Sequence, residues 1–139
     1  MASSFHLSLP CLSIKATRDF YVNLVGATLG RQAQNWLDVN LHGNQITFTK
    51  AGKYEFNSPN YTFEKTVLPA FHFGVILELE DWQKTFERLK AHKIKITGEL
   101  KFLKDKKGQH SSFFVTDPNG YSLEFKCFNN SSEVFSTNV

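Results

Sequence analysis

The sequence predicts an α+β fold in which paired βαβββ modules form a cupped, barrel-like mixed sheet with the helices outside. The main observation is a repeat: a strand, a helix and three further strands occur in the same order in each half of the 139 residues. Within most predicted strands apolar and polar side chains alternate, so one face can pack on a helix and the other is wetter. With 41% hydrophobic residues, a chain of this length can bury the core of one domain.

The first module covers residues 1–51. Its first strand, Phe5–Leu9, ends at Pro10. A helix follows, with Ser13 as its N-cap and Gly26 as the residue that stops it. A tight turn at His42–Asn44 joins the last two of three further strands. These strands are predicted at Thr28–Gln32, Trp36–Leu41 and Gln45–Thr49.

The second module covers residues 70–128 and repeats this order. It begins with the strand Phe71–Leu79, which is rich in aromatic and branched residues. Asp81 opens a helix whose apolar residues recur at helical spacing, and Asp117–Gly120 is a strong turn signal before the last strand. The strands after the helix are predicted at Lys93–Thr97, Ser112–Thr116 and Tyr121–Cys127.

A connecting loop, residues 52–69, separates the modules, and a polar tail, residues 129–139, follows them. No periodicity is visible in the loop. We interpret it either as a lid over a functional site or as a simple crossover. The whole chain, residues 1–139, is expected to form a single domain.

Charge and cysteine content argue against several classes of protein. The net charge is +3, and the basic cluster at Lys90–Lys107 is typical of a solvated surface rather than of a nucleic-acid-binding motif. No apolar run is long enough to span a membrane, and Met1–Leu12 lacks the features of a signal peptide. Cys11 and Cys127 have no partner at metal or redox spacing. We expect a cytoplasmic protein with reduced cysteines and neither membrane nor nucleic-acid partners.

Strand alternation places His6, His72 and Glu124 on the wetter faces of their strands. A lone histidine in a strand is usually structural, so each residue alone is weak evidence. However, His6 and His72 are each the second residue of a module's first strand. Glu124 lies between Leu123 and Phe125, where an unpaired carboxylate is costly. Two imidazoles and one carboxylate are a ligand set for Fe(II) or a similar divalent ion, with open positions for substrate or O2.

Segments of the chain resemble the vicinal oxygen chelate superfamily, which includes glyoxalase I, fosfomycin- and bleomycin-resistance proteins and extradiol dioxygenases. These segments are Phe5–Leu7, Phe71–Leu77 and Asp117–Phe125. The last is similar to the most recognisable signature of the superfamily, and the resemblance extends from Phe5 to Phe128. It implies paired βαβββ modules around a metal ion held by the two histidines and the glutamate.

More narrowly, the chain resembles a bacterial branch described as predicted extradiol-type dioxygenases, through Trp36–Asn40, Gly43–Ile46 and Leu123–Lys126. This resemblance implies a non-haem Fe(II) enzyme, with Mn, Ni or Zn as other metals, that opens a catechol-like diol with O2. It also implies a homodimer, in which one site is built from one chain or from two. The branch often has a histidine where this chain has Asn44; if that histidine transfers a proton, this chain uses another group.

Other residues are candidates for catalysis and substrate binding. A proton acceptor is needed, and the candidates are His42, near a strand end, and His110, which precedes a strand of the second module. The candidates for binding the substrate are Trp36, Asp38, Asn40, Gln45 and Thr47. Alternatively, these residues form only the polar rim of an open sheet.

Two other functions fit the same sequence. One is a metal-dependent glyoxalase-like isomerase or thiol transferase. Glyoxalase I would need a fourth protein ligand from the fourth strand, where this chain has Gln45 or Thr47 and no carboxylate. The other is a non-catalytic protein that binds a small molecule, similar to the bleomycin-resistance proteins, which typically lack the metal triad.

Overall fold

The computed structural model describes residues 2–137, apart from the side chains of residues 98 and 99. Residues 1, 138 and 139 of the predicted domain lie outside the described part. The chain divides into two compact units. The first runs to Asn57 and includes Asp117–Tyr121, and the second comprises Ser58–Thr116 and the residues from Ser122 onward. The strand and helix order confirms the predicted α+β fold of two βαβββ modules.

The first unit contains a mixed four-stranded sheet and one helix. The strands are β1 (His6–Cys11), β2 (Thr28–Gln32), β3 (Trp36–Leu41) and β4 (Asn44–Lys50), and helix α1 (Ile14–Arg18) continues as a π-helical segment, Asp19–Val25. The sheet order is β1-β4-β3-β2, with β1 parallel to β4 and the other pairs antiparallel. The apolar face, which includes Leu37 and Phe48, is buried, as strand alternation predicts.

The first strand is longer than predicted, because Pro10 does not end it. β1 continues through Pro10 to Cys11, and Pro10 lies opposite Thr49 of β4. Since β1 is the outer strand of its sheet, one side of its backbone needs no partner in the ladder. A proline is tolerated in such a strand when its missing N–H faces that side.

Local signals at the helix and turn are confirmed. The Ser13 hydroxyl accepts a hydrogen bond from the Ala16 N–H at 3.1 Å and caps α1. Gly26 has a φ of 90° and ends the π-helical segment in the left-handed conformation that glycine favours. His42 and Gly43 also have positive φ, 51° and 89°, and form the predicted turn between β3 and β4.

The second unit contains a four-stranded sheet, a separate hairpin and one long helix. The hairpin is β5 (Asn60–Phe63) and β6 (Thr66–Pro69); the sheet strands are β7 (Phe73–Ile76), β8 (Thr97–Phe102), β9 (His110–Thr116) and β10 (Ser122–Phe128); the helix is α2 (Leu79–Ala91). The sheet order is β7-β10-β9-β8. Among the described residues the two four-stranded sheets share no ladder, so they do not close into a barrel.

Three predicted elements of the second unit are wrong in extent or type. The predicted strand Phe71–Leu79 is shorter, since Leu79 already begins α2. The predicted strand Lys93–Thr97 is not formed; Lys93 leaves the helix with a φ of 58°, and β8 begins only at its last residue. The predicted loop 52–69 contains the hairpin β5–β6. Its turn has positive φ at Glu64 and Lys65, a conformation that these residue types do not signal.

The sheet of the second unit packs on α2 through aromatic side chains. Trp82 is buried, and its indole N–H donates to the Phe125 carbonyl at 2.8 Å. Phe113 contacts Trp82 and Phe125, with ring centroids 5.2 and 5.0 Å apart. This face is therefore closed by the helix, and the opposite face of the sheet carries Glu124.

Both cysteines, Cys11 and Cys127, are free and buried. None of the helices in the described part of the chain is long and apolar enough to cross a membrane.

The predicted turn at Asp117–Gly120 is organised by the Asp117 carboxylate. It accepts hydrogen bonds from the backbone N–H groups of Asn119 and Tyr121, each at 2.8 Å, and from the Tyr21 hydroxyl at 2.8 Å. Burial raises the pKa of the Asp117 carboxyl, and these donors oppose that effect. Burial also raises the pKa of Tyr21 well above its ordinary value, so its hydroxyl remains a donor.

We predict that Tyr21→Phe lowers the free energy of unfolding by about 1.5–3 kcal/mol, because it leaves a buried carboxylate without one of its donors. The matched control is Tyr54→Phe, which removes a less buried hydroxyl that contacts the Pro10 carbonyl at 2.8 Å; its cost should be about 1 kcal/mol or less. Urea denaturation measures both. Equal losses in the two variants would contradict this account of the turn.

Candidate metal centre

Two of the three predicted metal ligands meet in the second unit. His72 immediately precedes β7, and Glu124 lies within β10, which pairs in parallel with β7. The distance between His72 Nε2 and Glu124 Oε1 is 3.1 Å. Glu124 is buried, and the His72 side chain is largely so. The pair is therefore an imidazole and a carboxylate largely withdrawn from water.

The orientation of the His72 ring determines what this pair can bind. His72 Nδ1 lies 2.8 Å from the Pro69 carbonyl oxygen. A carbonyl can only accept, so Nδ1 carries the proton. In a neutral imidazole Nε2 then presents a lone pair to Glu124 Oε1. Two acceptors at this distance need a cation, which is either a second imidazole proton or a metal ion.

The pair fits a divalent metal ion. Two ligand atoms at right angles, each about 2.1 Å from one ion, would lie about 3.0 Å apart, close to the separation in the structure. A backbone carbonyl that holds the other ring nitrogen, as Pro69 does here, is a common outer partner of a ligand histidine. The second oxygen of Glu124 accepts from the Ser112 hydroxyl at 2.7 Å, which holds the carboxylate in place.

Gly74 allows the close backbone contact that positions Glu124. The two residues are partners in the parallel pairing of β7 with β10. A Cβ atom at Gly74 would overlap the carbonyl oxygen of Glu124 and crowd its backbone nitrogen. The glycine two residues after His72 is therefore a steric requirement of the strand pair that carries the candidate site.

His6, the third predicted ligand, lies in the first unit. It is exposed at the start of β1, opposite Gln45 of β4. Within residues 2–137, no three His, Cys, Asp or Glu side chains are grouped so that they could hold a metal ion. His72 and Glu124 thus form a pair of donors, and the role of His6 remains a prediction.

The repeat identifies Thr47 as the counterpart of Glu124. Gly74 and Ser8 each lie two residues after the histidine of their module, and they pair with Glu124 and Thr47 respectively. In the first unit this position carries a hydroxyl, which donates to Asp38 at 2.7 Å. The position equivalent to Glu124 therefore supplies no second carboxylate ligand.

A cavity of about 210 Å³ in the second unit adjoins His72 and Glu124. Its polar lining also includes His110 and Lys126. The apolar lining comes from the hairpin β5–β6 and from β8, and consists of Tyr61, Phe63, Leu68 and Phe102. The segment predicted as a loop or lid thus forms one wall of the cavity.

The predicted substrate-facing residues lie on one face of the first unit's sheet. Asp38 is buried and accepts hydrogen bonds from Thr47, Gln45 and Arg31 at 2.7, 3.2 and 3.2 Å. Burial alone would raise the pKa of Asp38, but the donors, chiefly Thr47 and Arg31, outweigh it and lower that pKa. Asp38, Gln45 and the remaining candidate Asn40 line a second cavity, of about 290 Å³.

Trp36, the fifth predicted substrate-facing residue, lies beside Arg31, which contacts Asp38. The Arg31 guanidinium lies 5.6 Å from the centroid of its ring. Arg31 therefore connects the indole with the Asp38 carboxylate, which it meets at 3.2 Å.

The two candidate proton acceptors occupy different environments. His42 is exposed in the turn between β3 and β4. His110 is buried in the second unit and lines the same cavity as His72 and Glu124. Its Nδ1 donates to the Gly108 carbonyl at 2.9 Å, which leaves Nε2 as the nitrogen able to accept a proton.

The chain was compared with known protein families and structures. The model of the Glyoxalase/Bleomycin resistance protein/Dioxygenase superfamily matches residues 4–125. The chain belongs to this superfamily. No curated protein matches it.

Solved structures with this superfamily fold resemble the chain over nearly its whole length. A glyoxalase/bleomycin resistance protein/dioxygenase from Alicyclobacillus acidocaldarius has a TM-score of 0.79 at 21% identity, covering 96% of each chain. The fosfomycin resistance protein FosX from Listeria monocytogenes has a TM-score of 0.67 at 15% identity, covering 96% of this chain and 99% of that one. A glyoxalase/dioxygenase from Nostoc punctiforme has a TM-score of 0.66 at 17% identity, covering 92% of each chain. At these identities the likeness establishes the fold alone.

Several residues at the candidate site were not singled out by sequence reasoning. Ser112 and Lys126 contact Glu124. Tyr61 and Phe63 of the hairpin also escaped notice, although they alternate with polar neighbours as strand residues do. All four lie in the second unit.

We predict that Gly74→Ala lowers the free energy of unfolding by about 3 kcal/mol or more, because its Cβ forces β7 away from β10. Gly52→Ala is the control. Unlike Gly74, Gly52 has a positive φ, 93°, but it has open space around it, so only the backbone strain of about 1–2 kcal/mol applies. Thermal and urea denaturation of both variants test this. A Gly74→Ala variant as stable as Gly52→Ala would show that the close contact is not required.

Proposed function

We propose that this superfamily member is a metal-dependent enzyme, and that it is an extradiol-like dioxygenase that opens a catechol-like diol with O2. His72 and Glu124 would hold the ion together with His6, supplied by the same chain or by the partner in a homodimer. The observation that supports the metal site most directly is the 3.1 Å distance between His72 Nε2 and Glu124 Oε1, while the other ring nitrogen, Nδ1, is held by the Pro69 carbonyl. Fe(II) is the metal that suits this set of donors and O2 chemistry.

Different residues of the chain would have different roles in such a reaction. A bound ion would supply charge stabilisation and hold the diol beside O2. O2 is the oxidant, and both its atoms enter the product as the carbon–carbon bond beside the diol breaks. The aromatic lining of the cavity would hold the ring and limit water. His110 Nε2 would accept a proton from a substrate hydroxyl, since its other nitrogen is already committed to the Gly108 carbonyl.

Other chemistry on the same metal is the main alternative. A glyoxalase-like isomerase is less favoured, because Thr47 stands at the position equivalent to Glu124 and its hydroxyl is engaged by Asp38. Addition of a thiol to an epoxide remains the second candidate, and one structural relative is described as a fosfomycin resistance protein. A binding protein without catalysis would not need a buried carboxylate facing an imidazole nitrogen.

For the metal site, we predict that His72→Ala loses most of its bound metal without unfolding. His92→Ala is the matched control, since His92 Nδ1 also contacts a backbone carbonyl, that of Arg88 at 2.8 Å, but the residue is exposed at the end of α2. Elemental analysis of freshly purified protein measures both, with circular dichroism as the test of folding. Full metal occupancy in folded His72→Ala protein would overturn the site.

Mixing two inactive variants distinguishes the origin of His6. If His6 and His72 of one site come from different protomers, a mixed dimer of His6→Ala and His72→Ala chains contains one intact site and regains metal. If they come from the same chain, every site in the mixed dimer lacks one ligand and no metal is regained. Either result identifies which chain completes the site.

For the reaction, we predict O2 uptake and a ring-cleavage chromophore when the Fe(II)-reconstituted protein meets a panel of catechols. His110→Gln should lower kcat by about a hundredfold or more, the usual contribution of a positioned proton acceptor, with the metal content unchanged. His92→Gln should have normal kcat. Activity with a glutathione adduct and no O2 uptake with any diol would favour the alternative chemistry.

A further inference from the structure

The cavity beside His72 and Glu124 has room for about one ring. Its volume is about 210 Å³. An apolar cavity of about 150 Å³ is known to hold one benzene molecule, so this cavity accommodates a single ring with small substituents. Two fused or linked rings would extend beyond it.

The apolar wall suits a planar ring. Phe63 of the hairpin contacts Phe102 of β8 with ring centroids 5.4 Å apart, and Phe102 lies 5.3 Å from the His110 ring. Tyr61 lies on the same hairpin and is 41% exposed, so it can change its contacts when a ligand enters. Rings that contact each other by edge or face offer further edge and face contacts to an aromatic ligand.

Lys126 gives the cavity a positive charge that remains available when Glu124 and His72 hold a metal ion. Its ammonium lies 3.9 Å from Glu124 Oε1, a longer contact than the 2.7 Å hydrogen bond that Ser112 makes to the other oxygen. A divalent ion held by Glu124 and neutral His72 more than cancels the carboxylate charge. Lys126 then has no net negative neighbour among the residues lining this cavity, which include no other carboxylate.

We infer that the substrate of this site is a single aromatic ring that carries an anionic substituent, and that Lys126 binds that substituent. This inference rests on the proposed function for the identity of the ring as a diol. Its charge component rests on the metal site, because the ion neutralises Glu124 beside Lys126, but it does not depend on the reaction with O2. A dihydroxybenzoate has the required size, ring and charge.

The experiment compares the binding of 3,4-dihydroxybenzoate with that of its uncharged methyl ester, by calorimetry at low salt, in metal-free and in Zn²⁺-loaded protein. In the Zn²⁺-loaded protein we expect the acid to bind about two- to fivefold more tightly than the ester, as one partly exposed ammonium–carboxylate contact provides. In the metal-free protein, where Glu124 still faces Lys126, the preference should be smaller. Lys126→Gln should abolish this preference and Lys126→Arg should retain it. The control Lys107→Gln, which removes the same charge from an exposed lysine, should leave the preference unchanged.

Equal binding of acid and ester by the wild-type protein, no binding of either, or an unchanged preference in Lys126→Gln would each overturn the inference. The outcome is separable from the proposed reaction. A preference that depends on Lys126, in a protein that shows no O2 uptake, would support the anion site and contradict the dioxygenase. Ring cleavage without any preference for the acid would do the reverse.

Discussion

A buried carboxylate that faces the lone pair of an imidazole nitrogen needs a cation, and this requirement organises the second module. The Pro69 carbonyl fixes the His72 tautomer, and the Ser112 hydroxyl occupies the second oxygen of Glu124. The parallel pairing of β7 with β10, made possible by Gly74, brings the two donors to 3.1 Å. The cation is either a proton, which makes an ion pair, or a metal ion. The superfamily fold and the donor types favour the metal.

The two modules use equivalent positions differently. In the second, Glu124 lies opposite Phe114 in the ladder, and its carboxylate contacts His72 and Ser112. In the first, the equivalent position is Thr47, opposite Asp38, and three neighbouring donors satisfy that aspartate. A carboxylate surrounded by donors needs no further cation, whereas Glu124 has unused capacity to bind one. The two halves therefore share a strand register, and at these equivalent positions the second places a buried carboxylate beside a histidine.

The sequence predicted the repeat, the fold class and most strands, because alternation and turn residues are local signals. It misjudged Pro10, since the tolerance of proline depends on which strand lies at the edge of the sheet. It missed the hairpin at residues 60–69 because its turn uses Glu64 and Lys65 at positive φ instead of glycine or asparagine. The proximity of His72 to Glu124 and the contribution of Ser112 depend on strand register, which no local pattern contains. The aromatic wall of the cavity depends on how the hairpin β5–β6 packs against β8.

The most direct measurement of the central claim is long-range ¹H–¹⁵N NMR of the histidine rings during a Zn²⁺ titration. The account predicts that the His72 ring keeps its proton on Nδ1 throughout the titration, and that its Nε2 resonance shifts as zinc takes the place of a proton between Nε2 and Glu124. A His72 ring whose Nε2 signal is unaffected by saturating zinc would show that the pair is only an ion pair and that the metal site lies elsewhere.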